Sequence, residues 1–282
     1  MNLGKLSPAL HSQIGTTINR ASLAKQTLRL SGHLWFLIAI AGQWVFAYYV
    51  ASFYGGSALQ GNLEAWSNVL PEGMIAGDVM GNFALAGHLL LAVIIIFLGP
   101  LQFIPAIRKH FPQLHRINGR IYLITCFITS IFGLYMVWTR GTVGGLVQHL
   151  GVSFNAVLII AFGLIALSYI LKKDIKNHNR WAFRMFLAVS GVWFFRVGLM
   201  FWIFVNDGPV GFDPETFEGP FLSFWSFGQY LLPLALLELY YFCKDHGSTW
   251  VRFAMSLFLS FVTAAMGLGI FVAIMGMWLP RL

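Results

Sequence analysis

The sequence predicts an all-α fold: a polytopic transmembrane bundle of about seven helices, with the N-terminus inside and the C-terminus outside. Three observations carry this. Of the 282 residues, 58% are hydrophobic and only 10% are charged, whereas a soluble domain carries about 25% charged residues. Seven apolar segments are long enough to cross a hydrocarbon core of about 30 Å. Loop charges also alternate along the chain, cations on one side and acids on the other. Backbone amides in lipid must be bonded internally, so the segments are helices rather than open strands. The net charge of +8 then belongs to a cytoplasmic membrane face, not to a nucleic-acid surface.

Residues 1–32 form a cytoplasmic arm. Within it, residues 14–30 spell a basic amphipathic helix lying on the inner membrane surface. Residues 33–282 make one transmembrane domain, because no long polar stretch offers a second core. The first segment, 33–53, is too long for a signal-peptide core and is retained. The second spans 82–104, the third 119–139, the fourth 150–171 and the fifth 181–205; this 82–205 stretch is a central four-helix core. Segments 224–243 and 251–278 join 33–53 as peripheral helices. Pro100 and Pro233 fall inside the second and sixth segments and should kink them. The outer connections, 54–81 and 206–223, are rich in Gly, Pro and acids and form loops or short caps.

The orientation follows from Lys5, Arg20, Lys25 and Arg29 in the arm and from three later clusters. These are Arg108, Lys109 and Arg116, then Lys172, Lys173, Lys176 and Arg180, then Lys244. The opposite loops hold Glu64, Glu72 and Asp78, then Asp207, Asp213, Glu215 and Glu218, with Arg140 and Arg281 as the exceptions.

Comparing the chain with itself reveals a repeat. Gly87-His88-Leu89 opens one copy, which closes on His115-Arg116 and Arg120. Gln148-His149-Leu150 opens the other, which closes on His178, Arg180 and Arg184. The histidines lie 27 residues apart in the first copy and 29 in the second. Each copy is a helical hairpin, and tandem hairpins related by an axis along the membrane normal would bring His88 towards His149 and His115 towards His178. Two stacked histidine pairs in a four-helix core suit haem b, one or two groups, each iron held by two imidazoles. Interfacial histidines are also ordinary, so this expectation stands beside a plain interfacial role. Likewise Arg116, Arg120, Arg180 and Arg184 suit either lipid phosphates or haem propionates and an anionic electron donor.

Arg196 lies well inside the fifth segment, and an intramembrane charge there is expensive unless it is paired or functional. Glu238 is the intramembrane acid; it lies nearer the inner face, so pairing with Arg196 would need tilt or a bridging water. Gln43, Asn82, Gln102 and Asn155 suit interhelical hydrogen bonds. The two cysteines, Cys126 and Cys243, suggest neither a disulfide framework nor a thiolate metal site. No P-loop, dinucleotide fingerprint, H-E-x-x-H or G-x-S-x-G is present.

The strings Gly99-Pro100-Leu101-Gln102-Phe103 and Leu114-His115-Arg116 … Gly119-Arg120-Ile121-Tyr122, continued by His178-Asn-Arg180-Trp181, Arg184 and Arg196, resemble a family of bacterial membrane proteins. It is catalogued as domain of unknown function 2306. The resemblance implies a multi-pass protein of the bacterial inner membrane and no particular activity. The layout of the four histidines is similar to that of the cytochrome b561 family. That likeness implies a transmembrane electron carrier, a membrane oxidoreductase with a quinone or anionic donor as partner. The alternative is a cofactor-free small-molecule or ion transporter, or a sensor, built on Arg196 and Glu238.

Overall fold

A computed structural model describes residues 8–70, 73–141 and 143–282, with side chains from Asn19 onward, and the described chain is helical throughout. Helix α1 (Pro8–Val50) continues through a π-turn into the short α2 (Gly56–Leu59). There follow α3 (Val79–Leu101), α4 (Pro105–His110), α5 (Pro112–Thr139) and α6 (Leu146–Leu171). The chain ends with α7 (Ile175–Val189), α8 (Gly191–Val205), α9 (Pro220–His246) and α10 (Thr249–Ala273). Six helices are long and apolar enough to cross a membrane, and α7 and α8, bent by 53° at Ser190, are together long and apolar enough to count as a seventh. The protein is therefore a multi-pass integral membrane protein. Lys5, Glu72 and the side chain of His11 lie outside the described residues.

Local chemistry sets the helix starts. Asp78 accepts from Gly81 N (2.9 Å) at the start of α3, and Asp174 from Asn177 N (3.1 Å) at the start of α7. Pro105, Pro112 and Pro220 occupy first turns, where their missing N–H is harmless.

Three features depart from the sequence reading. Residues 14–30 form no separate element but run unbroken into the first span within α1. Pro100 is the penultimate residue of α3 and helps to end that helix rather than kink it. The fifth segment is broken where no proline stands. There Ser190 Oγ donates to Phe186 O (2.8 Å) and accepts from Gln43 Nε2 (2.9 Å). Gly191 meanwhile lies so close to α6 that a Cβ would fall 2.8 Å from Asn155 Nδ2. A Ser-Gly pair with a side chain bonded into the helix ladder is a recognised cause of a sharp bend.

The packing also moves α1 from the periphery to the centre. Helix α10 packs along α1 and α8, while α3, α5, α6 and α7 follow one another round the bundle. Leu28, Trp35, Ala39 and Phe46 of α1 belong to the main buried core with Trp193 of α8 and Leu259 of α10. Small residues permit this approach: a Cβ on Gly42 would lie 2.7 Å from Ile270 Cδ1 and 2.8 Å from Trp193 Cζ2.

One end of the bundle carries the loop acids and is tied by Arg140. Its guanidinium donates to Asp78 Oδ2 (2.7 Å), Asn82 Oδ1 (2.6 Å) and Gly73 O (3.1 Å), joining the end of α5 to the start of α3. This exception to the charge alternation is thus an ion-paired clamp. The Gly81 amide and then the Arg140 guanidinium hold the Asp78 carboxyl below the usual carboxylate range.

Candidate functional site

Helices α1, α3, α5 and α6 and the α7–α8 bend enclose a cavity of about 150 Å3. Each contributes polar atoms that a lipid-facing surface could not satisfy. From α3, His88 Nδ1 donates to the Thr129 carbonyl of α5 at 3.2 Å, which leaves Nε2 as the unprotonated nitrogen of a neutral ring. From α1 comes Gln43, bonded to Ser190, and from α6 comes Asn155, whose Nδ2 donates to Ala188 O at 3.1 Å. Three atoms of wall residues are buried without a hydrogen-bond partner, Thr129 Oγ1, Asn155 Oδ1 and Trp193 Nε1, while the Tyr122 hydroxyl is paired with the Cys126 thiol. Buried polar atoms are nearly always partnered, and several orphans around one space indicate a polar occupant. The volume suits a few waters, at about 30 Å3 each, or a small solute. It is below the roughly 300 Å3 of the smallest drug-sized ligand sites.

Arg196 stands at the edge of this space. Its Nη1 donates to Val192 O (3.2 Å) and its guanidinium lies 5.2 Å from the centre of the Phe46 ring. Val192 and Phe46 are both wall residues of the cavity. The charge acts on His88, Tyr49 and Tyr54. On the side towards the acidic end, Trp278 Nε1 is buried with no hydrogen-bond partner; its ring stacks 6.4 Å from that of Tyr49, whose hydroxyl pairs with that of Tyr54. Among the described residues the ion pairs are Arg140–Asp78, Arg180–Asp245 and Arg184–Glu238, so Arg196 has no carboxylate.

Glu238 is therefore not its partner. The carboxylate accepts from Arg184 Nε (2.6 Å) and Nη2 (2.8 Å) in a two-pronged pair between α9 and α7. Arg184 lies nearer the basic end on α7, level with the inner part of α9, whereas Arg196 lies beyond the bend.

The histidines divide by depth. His88 meets α5 at Thr129 and Gly133, whereas His149 meets it at Trp138 (ring centres 6.3 Å apart) and Gly141. On α5 itself the contacts are five to nine residues apart, about 7–14 Å at 1.5 Å per residue. His149 is not on the wall of the cavity that His88 lines, so the structure does not bring this pair together. At the basic end, His115 and His178 are within electrostatic reach of each other. His178 Nδ1 donates to Ala166 O (2.9 Å), and His115 Nδ1 is buried without a partner. Arg116 and Arg120 are exposed on the first turns of α5. Arg180 is paired with Asp245 and stacks on Tyr241. Gln43, Asn82 and Asn155 make the bridging hydrogen bonds expected of them.

Sequence reasoning missed Tyr49, Tyr122, Thr129, Trp193 and Trp278. Tyrosine, threonine and tryptophan in an apolar run carry no signal until a helix partner is known. The bend was visible as Ser190-Gly191, a pair that weakens a helix interior.

The model of a family described as a predicted membrane protein, domain of unknown function 2306, matches residues 85–211. This agrees with the resemblance carried by the G-P-L-Q-F and L-H-R strings. The matched stretch runs from α3 to just beyond α8, so it includes His88, His115, His149, His178 and Arg196, while Tyr49 and Glu238 fall outside it. No curated protein and no solved structure matches the chain.

Proposed function

We propose that the protein is a membrane carrier for a small anionic solute, which binds within the bundle at Arg196 and the adjoining cavity. One observation carries the reading: a guanidinium inside the span has no carboxylate partner, beside a space ringed by unpartnered polar atoms. An arginine at the centre of a membrane helix costs about 2.5–3.5 kcal/mol on insertion scales. A bound anion supplies the missing counter-charge. Trp278 Nε1 is a donor suited to the same ligand, and His88 Nε2 is an acceptor for a proton that the solute brings. The broken α7–α8 span supports a carrier, since interrupted helices commonly bound such sites. Glu238 drops out of the site that the sequence suggested.

The test is uptake of radiolabelled acetate, lactate and benzoate by proteoliposomes, together with thermal shifts of the detergent-purified protein in each anion. Saturable uptake of one of them, lost on Arg196→Gln, is expected. No uptake and no thermal shift with any of the three would remove the reading.

A second reading is favoured by one specific feature. His178 has Nδ1 fixed by the Ala166 carbonyl, the arrangement that orients an imidazole to ligate metal through Nε2, and His115 lies within its electrostatic reach. On that reading His115 and His178 hold one haem b at the basic end, and the chain carries electrons. The haem would supply one-electron chemistry, while these two residues fix its position. A dithionite-reduced minus oxidised spectrum decides it: a b-type band removed by His115→Ala supports the haem, and its absence after haem-replete expression eliminates it.

A further inference from the structure

The geometry points to a second site: a cleft bounded by α9 and α10 that binds an anionic phospholipid, one acyl chain inside and its phosphate at the basic end. Helix α9 packs mainly on α6, α7 and α8, and α10 on α1 and α8, so these two consecutive helices diverge. A cavity of about 460 Å3 occupies the gap, and a second of about 260 Å3 continues it between α9, α1 and α7, with Leu259 as its α10 wall; the two share Trp35, Pro233 and Leu236. Pro233 sits within α9, where its ring cannot complete the helix ladder, at the point where the two cavities meet.

The two ends differ chemically. The larger cavity is walled by side chains such as Phe201, Leu239, Phe258 and Ala265. Of its two indoles, that of Trp225 is already bonded through its N–H to Phe195 O at 3.0 Å, and that of Trp35 stacks on Phe194. Nothing there calls for a polar ligand, and an acyl chain satisfies it. The smaller cavity ends at His33, Tyr240 and Tyr241, and cations crowd that end. The guanidiniums of Arg180 and Arg184 lie 4.7 Å and 5.8 Å from the Tyr241 ring centre. Arg29 acts on Tyr240, and Lys176 and Lys244 act on Asp245. Five cations thus stand against three carboxylates, Glu238 and Asp245, each already ion-paired, and Asp174, which caps α7 beside Lys176. The surplus is positive and lies at the mouth of an apolar cleft, which matches a phosphate attached to a hydrocarbon chain. A soluble anion would have no use for the cleft, and a neutral lipid no use for the cations.

The experiment measures the Tm of the delipidated, detergent-purified full chain with four additions. These are phosphatidylglycerol, phosphatidylcholine with the same chains, inorganic phosphate, and detergent alone. Phosphatidylglycerol should raise Tm most, phosphate should leave it unchanged, and native mass spectrometry should retain one phosphatidylglycerol per chain. Arg29→Gln, at an exposed position, should shrink the gap between the two lipids. Ala265→Trp, which fills the cleft, should lower retention; if it fails to fold, Leu239→Trp gives the same reading from the α9 side. Equal stabilisation by both lipids overturns the headgroup assignment. Stabilisation by phosphate alone overturns the lipid, and undiminished retention in the filled variants overturns the cleft. Acetate uptake is untouched by any of these outcomes, so this site and Arg196 are tested separately.

Discussion

Replacing Arg196 by Gln separates a ligand-binding arginine from a structural one, because the two roles move stability in opposite directions. In the structure this side chain makes one hydrogen bond, to Val192 O at 3.2 Å, and one ring contact, with Phe46 at 5.2 Å. A desolvated cation–π contact contributes about 2 kcal/mol, and the unpaired charge costs about 2.5–3.5 kcal/mol in a membrane helix. Removing both leaves stability unchanged or slightly higher, and Gln retains a neutral donor for the backbone. Binding behaves differently. A hydrogen bond to a charged group contributes about 1.5–3 kcal/mol, which is roughly a 10- to 150-fold loss of affinity at 1.4 kcal/mol per decade. The paired assay is therefore thermal unfolding in detergent and concentration-dependent uptake in proteoliposomes. Arg196→Gln should keep its Tm and lose high-affinity uptake, and Arg196→Lys should retain part of it. A Tm that falls by many degrees while uptake is intact would refute the reasoning and make the residue a packing element.

Other expected outcomes are more local. Glu238→Gln should lower stability by about 1 kcal/mol, as for a partly exposed ion pair, and leave uptake unchanged, which thermal unfolding and flux measure together. Gly42→Ala should destabilise by about 1–3 kcal/mol through overpacking, since its Cβ would meet Ile270 and Trp193, both themselves buried; the readout is again Tm. The Asp78 carboxyl is held below its ordinary range by the Gly81 amide and Arg140. Its folded pKa is lowered, so its contribution is present above the unfolded value, about 3.9, and is lost as pH falls through the lower folded value. Asp78→Asn should flatten the acid limb of a Tm-against-pH profile, and an unchanged limb would show that the clamp adds nothing to acid stability.

The spans were legible because hydrocarbon thickness sets a length and lipid forbids polar interruptions; each of the seven segments falls on a helix or, for the fifth, on the bent α7–α8 pair, but α1 begins 25 residues before the apolar segment and α3 ends three residues short of it. What lay outside that logic was missed. Helix partners depend on residues that look alike in sequence, and nothing in 33–53 announces that Ala39, Gly42 and Ala47 let α10 and Trp193 close on it. The histidine repeat was real as a pattern, yet similar spacing, 27 and 29 residues, does not give equal depth. The first copy runs on through an unbroken 28-residue helix, and the second is broken at Ser190. Arg196 was legible from its depth alone, and its neighbours were not, because Tyr49 and Trp278 come from the two ends of the chain.

The arginines together make the strongest case for a ligand at that position. Arg140, Arg180 and Arg184 lie near the ends of the bundle, where water softens the cost of a charge, and each is nevertheless met by a carboxylate from another element. Arg196 lies deeper, where the cost is greatest, and among the described residues it is met by none. The chain contains ten acids, so a partner was chemically within its means, and Glu238 stands on a helix that packs against α8 but serves Arg184. A structural arginine without a partner is the arrangement that any substitution to Leu or Met would improve. The unpaired guanidinium is consistent with a counter-ion that arrives and leaves. That view makes one last demand: Arg196→Met should yield a protein at least as stable as the original and unable to accumulate the anion. A variant that is markedly less stable, or that still transports, would return Arg196 to the fold.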